Sequence, residues 1–143
     1  MRVRSVLLLV VVAFLAIQLV PYGHDHVNPP VRQEPPWDSP RTRALAVRAC
    51  YNCHSNETVW PWYSAVAPAS WLVEHDVVDG RRHVNFSEWG RPQREQEKLA
   101  KEVLEGDMPP VYYPWAHLTT AERAELARGL ERLVGTAPTA AHR

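Results

Sequence analysis

Two cysteines and a histidine lie close enough in the sequence to hold one cofactor between them. The segment at 50–54 reads Cys-Tyr-Asn-Cys-His. Residues three apart lie on one face of a helical turn, so the sulfurs of Cys50 and Cys53 can reach the two vinyl groups along one edge of a haem. The imidazole of His54 then projects toward the iron as an axial ligand. This C-x-x-C-H pattern predicts one covalently attached c-type haem.

Three other chemistries compete with haem attachment for the two cysteines. A zinc site needs two further ligands, for which His75 and His83 are candidates, although the spacing is unlike that of zinc fingers. A redox dithiol normally follows a strand at a helix N-terminus, whereas a helical pattern precedes Cys50. A disulfide between Cys50 and Cys53 closes too small a loop to stabilise the chain much. The motif therefore favours haem.

An electron-transferring haem iron usually takes a second axial ligand, and a methionine thioether raises its reduction potential. The chain has two methionines, and Met1 belongs to the N-terminal apolar segment. Met108 is followed by two prolines that stiffen its loop, so we predict that Met108 and His54 are the metal ligands. His75 or His83 would instead give a bis-histidine iron, and an open sixth position would indicate a haem-based sensor or binding module.

The N-terminus combines basic residues with an apolar run. Arg2 and Arg4 precede residues 5–20, which read SVLLLVVVAFLAIQLV. Residues 1–21 are therefore predicted to be a transmembrane signal anchor, or a signal peptide that is removed. By the positive-inside rule, everything after Tyr22 lies outside the cytoplasm. We expect a protein anchored to a membrane by its N-terminus, with its domain in the periplasm or otherwise outside the cytoplasmic membrane.

The remaining chain divides by composition. Residues 22–38 are rich in proline, which is typical of an extended tether. Residues 39–135 are predicted to form the folded domain, and residues 136–143 a flexible tail. Residues 55–90 have an irregular pattern that indicates loops and short helical turns, and no stretch alternates with period two. The fold class is therefore mainly α.

Three helices have recognisable ends. Ser39 and Pro40 open a helix that runs to Cys50. A second helix is predicted over Pro92–Glu105, ending before Gly106. The last begins at a capping box formed by Thr119 and Glu122 and ends at Gly135. Gly129 interrupts the last helix, and we expect it to allow a close crossing with the first helix at Ala46 or Ala49.

Large aromatic side chains are unusually frequent, with six tryptophans in 143 residues. Flat rings can surround a flat apolar ligand. The candidates for such a wall are Trp60, Trp62, Tyr63, Trp71 and Trp89.

The charge balance and the remaining polar groups exclude some function classes. The formal net charge is zero, from 16 basic and 16 acidic residues, so no basic surplus indicates a nucleic-acid partner. His75 and Asp76 are adjacent, but no activated serine or cysteine accompanies them, so we expect no enzymatic activity. Redox partner proteins and the oligomeric state are not indicated by the sequence.

The order of these features resembles the small class I cytochrome c fold. The segments CYNCHSNETVWPWYSAVAPASWLVEHDVVDGRRHVNFSEW and MPPVYYPWAHLTTAE more closely resemble a family of bacterial haem-binding domain proteins, over roughly Trp37 to Val134. This resemblance implies a membrane-tethered c-type haem protein on the periplasmic or outer face of a membrane, but it indicates a ligand and not a reaction. From the pair of metal ligands His54 and Met108 we expect single-electron transfer between partners at the membrane surface. The resemblance implies haem-binding roles for Cys50, Cys53 and His54, and for Met108. The tryptophan-rich middle departs from ordinary small cytochromes c.

Overall fold

Six α-helices make up the regular structure of residues 3–135, the part of the chain that this computed structural model describes. They are α1 (Val3–Ile17), α2 (Pro40–Ala49), α3 (Tyr51–His54), α4 (Ala69–His83), α5 (Leu99–Glu105) and α6 (Thr120–Gly135). Short 3₁₀ turns occur at Trp62–Ala65, Gln96–Lys98 and Pro114–Ala116. The described residues form no β-strand, and Gln33 and Glu88 make an isolated parallel bridge. The mainly α class is confirmed. The tail predicted at 136–143 lies outside the described residues, as do Met1 and Arg2.

Capping interactions fix the starts of α2 and α6. Ser39 Oγ accepts a hydrogen bond from the backbone N–H of Thr42 at 3.0 Å, and Pro40 occupies the first helical position. The N–H of Thr119 donates to Glu122 Oε2 at 3.0 Å, while the N–H of Glu122 donates to Thr119 Oγ1 at 3.3 Å. Both starts were predictable because side-chain caps are local interactions.

Helices α2 and α6 cross closely at a glycine. Gly129 is buried on α6, and a Cβ at that position would overlap the side chain of Thr42, which is buried on α2. The expected close crossing at Gly129 is therefore confirmed. Its contact on α2 is Thr42 rather than Ala46 or Ala49.

Gly129→Ala is expected to destabilise the protein by about 1–3 kcal/mol, because the added methyl overpacks the crossing. Thermal unfolding measures the effect. Gly135→Ala is the matched control on the same helix, since among the described residues nothing beyond its own stretch of helix lies within 4 Å of a Cβ there. Adding Thr42→Ser to Gly129→Ala removes the methyl group that the new Cβ would meet, so it should restore part of the loss. Equal unfolding temperatures for the two single alanine variants would contradict the close crossing.

The core beside this crossing joins leucines to aromatic rings. Phe86 is fully buried and stacks with Tyr51 and Trp89, with ring centroids 5.6 and 5.8 Å apart. Buried leucines of α2 and α6 complete the cluster: Leu45, Leu126, Leu130 and Leu133. Tyr51 lies between the two cysteines in sequence, so burial of its ring fixes that segment against the core.

Helix α4 corrects the expectation of loops and short turns between Ser55 and Gly90. Its 15 residues bury Ser70, Val73, Val77 and Gly80 on one face. That spacing is helical, but only Val73 and Val77 of these four residues have apolar side chains. Ser70 and Gly80 lie where α4 comes close to other segments. The hydrophobic periodicity was therefore too weak to predict the helix.

Helix α5 is shorter than the predicted helix over Pro92–Glu105. The side chain of Gln93 bonds the backbone of Asn85 and Glu88, and the N–H of Arg94 donates to the carbonyl of His83 at 3.0 Å. These bonds tie the segment to the preceding loop, so the α-helix begins only at Leu99. It ends as predicted at Gly106, whose φ of 89° favours glycine.

Residues 22–38 contact the helical domain at several points. The N–H groups of Arg32 and Gln33 donate to the carbonyl of Ser87 at 2.9 and 3.1 Å. The ring of His26 stacks on Trp60 with centroids 4.6 Å apart. Proline restricts the backbone to an extended form but leaves its carbonyls and its neighbours free to bond a surface.

Helix α1 leaves its apolar side chains out of the core, with none of its residues buried. It ends at Ile17, and the side chain of Gln18 then exchanges two hydrogen bonds with the backbone of Ala67, at 2.9 and 3.0 Å. Within residues 3–135 no helix combines the length and the apolarity needed to cross a membrane. The transmembrane segment predicted within residues 1–21 is therefore not found.

Candidate functional site

The C-x-x-C-H segment forms a separate helical turn at the end of α2. Cys50 lies between the two helices as the C-cap of α2 and the N-cap of α3, with φ −122° and ψ −36°. Its carbonyl accepts the N–H groups of Cys53 at 3.1 Å and His54 at 2.8 Å. This turn brings both thiols and the imidazole to one region, as the spacing predicted.

The thiols of Cys50 and Cys53 form no disulfide, are partly buried, and lie in surroundings that disfavour the reactive thiolate form. No disulfide joins Cys50 and Cys53. Burial raises the pKa of each thiol to about 12, so both carry their protons at neutral pH. A redox dithiol instead needs a lowered pKa, because the thiolate is the nucleophile. The surroundings of the two cysteines therefore do not suit redox-dithiol chemistry.

The imidazole of His54 is held in the form that a metal ligand requires. Its Nδ1 lies 3.0 Å from the carbonyl of Gly80 and 3.2 Å from that of Val84. Carbonyls only accept, so Nδ1 carries the proton and Nε2 keeps a free lone pair. Burial lowers the pKa of His54, opposed by these two bonds, and so favours the neutral ring.

Gly80 is a site residue that sequence reasoning missed. A Cβ at this position would lie 2.5 Å from the carbonyl oxygen of Cys53 and 3.2 Å from its Cβ. The glycine therefore lets α4 approach the C-x-x-C-H turn closely enough for the Gly80 carbonyl to accept a hydrogen bond from His54 Nδ1. The available signal was a glycine within a run of helix-forming residues, but it needed α4 to be recognised first.

Gly80→Ala is expected to lower the amount of haem bound per chain, because the methyl must displace backbone at Cys53 at a cost of about 1–3 kcal/mol. The ratio of haem to protein absorbance measures this. Gly90→Ala is the control, because a Cβ there meets only the end of the flexible Gln33 side chain. Equal ratios in the two variants would show that the close approach is not needed.

A cavity of about 340 Å³ opens beside the C-x-x-C-H turn. It lies within the size range of small-molecule and cofactor sites. Cys50, Cys53, His54 and Met108 all line it. Its other walls include apolar side chains of several elements, such as Val73, Val77, Phe86, Leu99, Val103 and Leu130. An apolar wall with a free imidazole nitrogen, a thioether and two thiols is a donor set that fits haem.

Met108 reaches the cavity from the loop after α5. Its N–H donates to the carbonyl of Glu102 at 3.1 Å, and its carbonyl accepts from Arg123 Nη1 at 2.8 Å. The same Arg123 nitrogen bonds the carbonyl of Val103 at 3.0 Å. Helix α6 therefore fixes the backbone of Met108 through Arg123, a contact that no sequence signal indicated.

Of the two histidines considered as alternatives to Met108, His83 lines the cavity and His75 lies outside it. His83 lines the cavity, and its Nδ1 lies 3.0 Å from the carbonyl of Asp79. His75 is not among the lining residues, and 69% of its side-chain surface is exposed. His83 is therefore placed to serve as an alternative iron ligand, and His75 is not.

The zinc alternative needs at least three metal-binding side chains in one place. Among residues 3–135, no group of three His, Cys, Asp or Glu side chains is arranged to hold a metal ion. The predicted partners His75 and His83 do not complete such a set with Cys50 and Cys53.

The aromatic wall is made by residues other than those predicted. None of the five candidates between Trp60 and Trp89 lines the cavity. Trp62 is 82% exposed, and Trp89 stacks in the core. The lining rings are Phe86, Tyr112, Tyr113 and Trp115. Composition indicated aromatic packing correctly, but ring count alone does not tell which partner a ring contacts.

The fold and the cavity define a small helical protein with a cavity of cofactor size. The chain belongs to the haem-binding domain family, whose family model matches residues 12–132. This confirms the resemblance found in the sequence and identifies haem as the cofactor. No curated protein and no solved structure matches the chain significantly.

Proposed function

We propose that this protein binds one haem covalently and carries single electrons at the extracytoplasmic face of a membrane. The observation that supports this most is the convergence of Cys50, Cys53, His54 and Met108 on one apolar cavity. Haem supplies a reversible one-electron iron couple when it is bound. The protein's part is to hold that group, choose its axial ligands and exclude water.

The two thiols are the proposed attachment points. Cys50 and Cys53 would each add a sulfur to one vinyl group, with the thiol proton going to the neighbouring carbon, so that no atom would be lost and no oxidant consumed. Cys50 and Cys53 carry these protons at neutral pH because burial raises their pKa. Two thioether bonds would keep the cofactor in a small domain that faces an open compartment.

His54 and Met108 are the proposed axial ligands. His54 Nε2 is free because Nδ1 donates to backbone carbonyls of Gly80 and Val84. Met108 comes from a different element, the loop that α6 holds through Arg123. A thioether ligand and an apolar surrounding both favour the reduced iron, so we expect a raised potential. The helix order with a terminal Leu-rich helix is similar to class I cytochromes c.

Cationic side chains at the cavity suit the haem propionates. Arg48 and Lys98 line it, and each already pairs with a carboxylate: Arg48 with Glu122 at 2.7 Å and Lys98 with Glu95 at 2.9 Å. Exposed pairs of this kind are weak. They can therefore exchange one carboxylate partner for another at little cost.

We propose that the N-terminal segment attaches the domain to the membrane. Support comes from α1, which buries none of its apolar residues, and from Arg2 and Arg4 before it. Membrane fractions washed with alkaline carbonate test this. Retention of the wild-type chain and release of a Leu9→Lys/Val12→Lys variant are expected. Release of both would contradict attachment through α1.

Redox spectroscopy tests the electron-carrier function directly. The full chain, exported in a host that matures c-type haem, should cycle reversibly between ferric and ferrous states. We expect the ferric methionine–iron charge-transfer band and no binding of carbon monoxide to the ferrous form. Rapid carbon monoxide binding without that band would instead favour a haem-based sensor with an open position.

A further inference from the structure

We propose that Asp76 is a positioning residue, whose carboxylate holds the Met108 loop against α4 and so keeps the Met108 sulfur at the iron. This inference rests on the proposed axial role of Met108. The Met108 loop is defined as residues 107–117, between α5 and α6. In the sequence Asp76 stands beside His75, a pair that suggests a polar cluster supporting a loop but does not identify which loop.

Asp76 receives two hydrogen bonds from the loop. Its Oδ2 accepts from the hydroxyl of Tyr113 at 2.9 Å and from that of Tyr112 at 3.1 Å. Its Oδ1 lies 3.4 Å from His75 Nδ1. The carboxylate side chain is only 15% exposed, and Asp76, Tyr112 and Tyr113 all line the cavity. Hydrogen bonds to a carboxylate in such a place are stronger than those between neutral groups.

The two tyrosines are suited to donate these bonds. Burial raises the pKa of Tyr113 well above its usual range, and burial together with Asp76 raises that of Tyr112. Both hydroxyls therefore keep their protons at neutral pH. The rings pack on each other with centroids 4.9 Å apart, and Tyr113 packs on Trp115 at 5.4 Å. The rings of Tyr112, Tyr113 and Trp115 thus form one packed aromatic cluster at the end of the loop.

Met108 lies between two anchors. On its N-terminal side, Arg123 of α6 bonds the carbonyls of Val103 and Met108. On its C-terminal side, Pro109 and Pro110 connect it stiffly to the tyrosines that Asp76 holds. The α6 anchor fixes the backbone of Met108, while the Asp76 anchor closes the loop over the cavity. Loss of the second anchor leaves two hydroxyls without their acceptor and frees the loop to open.

The position of the Met108 loop therefore determines which ligands the haem iron takes. With the loop closed, the protein presents His54 and Met108 to the iron and acts as an electron carrier. With the loop released, the sixth position becomes open to small ligands. Asp76 therefore decides between the two functions that the sequence left as alternatives.

The test compares Asp76 variants of the haem-loaded full chain. Asp76→Leu keeps the size of the side chain and removes both acceptors, whereas Asp76→Asn keeps one carbonyl acceptor. The Tyr112→Phe/Tyr113→Phe variant removes the two donors. Glu74→Leu is the control, since Glu74 is an acidic residue of the same helix that does not line the cavity.

Asp76→Leu and the double phenylalanine variant are expected to lose most of the methionine–iron band and to bind imidazole on the order of tenfold faster or more. Asp76→Asn should retain the band, and Glu74→Leu should behave as wild type. Hydrogen–deuterium exchange of residues 107–117 should rise on the order of tenfold in Asp76→Leu, with the C-x-x-C-H turn unchanged.

Two results would overturn the inference and are distinguishable. A wild-type protein with covalent haem but without the methionine band would refute the axial role of Met108, and with it both the proposed ligation and this inference. A wild-type band that persists in Asp76→Leu, together with unchanged loop exchange, would refute the Asp76 anchor alone.

Discussion

Replacing Cys50 and Cys53 together by serine is expected to abolish covalent haem binding. Serine is close to cysteine in size, but its hydroxyl does not add to a vinyl group under the conditions in which thiols do. Haem staining of the denatured protein on a gel measures the loss. We expect no stain from the double variant and a strong stain from the wild type.

The single variants are the matched controls for this change. Cys50→Ser and Cys53→Ser each leave one thiol on the cavity wall, so each should keep haem through one thioether bond at reduced yield. Helical content measured by circular dichroism should show that all three variants fold. A double variant that still stains for haem would refute attachment through these cysteines.

Met108→Ala is expected to lower the reduction potential by about 0.1 V or more, within the range of about 0.8 V that axial ligands span. The physical reason is loss of the thioether, which stabilises the reduced iron. The ferric charge-transfer band should disappear, and carbon monoxide should bind the reduced protein. Covalent haem should remain, because the C-x-x-C-H turn is untouched.

Val111→Ala is the control for Met108→Ala. Val111 belongs to the same loop but is 91% exposed and does not line the cavity. Its removal should leave the potential and the spectrum unchanged. A Met108→Ala protein with wild-type potential and spectrum would show that another group, with His83 the nearest candidate, is the sixth ligand.

The helices that the sequence predicted well are those whose ends depend on local chemistry. Ser39 caps α2, Thr119 and Glu122 cap α6, and Gly106 ends α5 in a left-handed conformation. Each signal involves residues within one turn of each other. The C-x-x-C-H turn belongs to the same class, since its geometry follows from helical spacing alone.

The parts that the sequence did not predict depend on contacts between distant segments. Helix α4 was missed because Ser70 and Gly80 stand where apolar residues would have marked its buried face. The roles of Gly80, Asp76 and Arg123 each require a partner that is distant in the chain. Elimination was enough to predict Met108 as an iron ligand, but it could not identify the side chains that hold the Met108 loop.

The tryptophan-rich middle shows the limit of composition as evidence. None of the five rings predicted to form the wall lines the cavity, whereas Phe86, Tyr112, Tyr113 and Trp115 do. A ring's burial can be inferred from its size, but its partner depends on the path of the chain.

Covalent haem attachment is the central claim, and peptide mass spectrometry tests it most directly. The full chain, exported in a haem-maturing host, is denatured and digested with trypsin. Cleavage after Arg48 and Arg81 yields one peptide, residues 49–81, that contains both cysteines. We expect this peptide to carry the added mass of one haem, whether or not the N-terminal segment is removed. A bare 49–81 peptide from a protein that had contained haem before denaturation would contradict it.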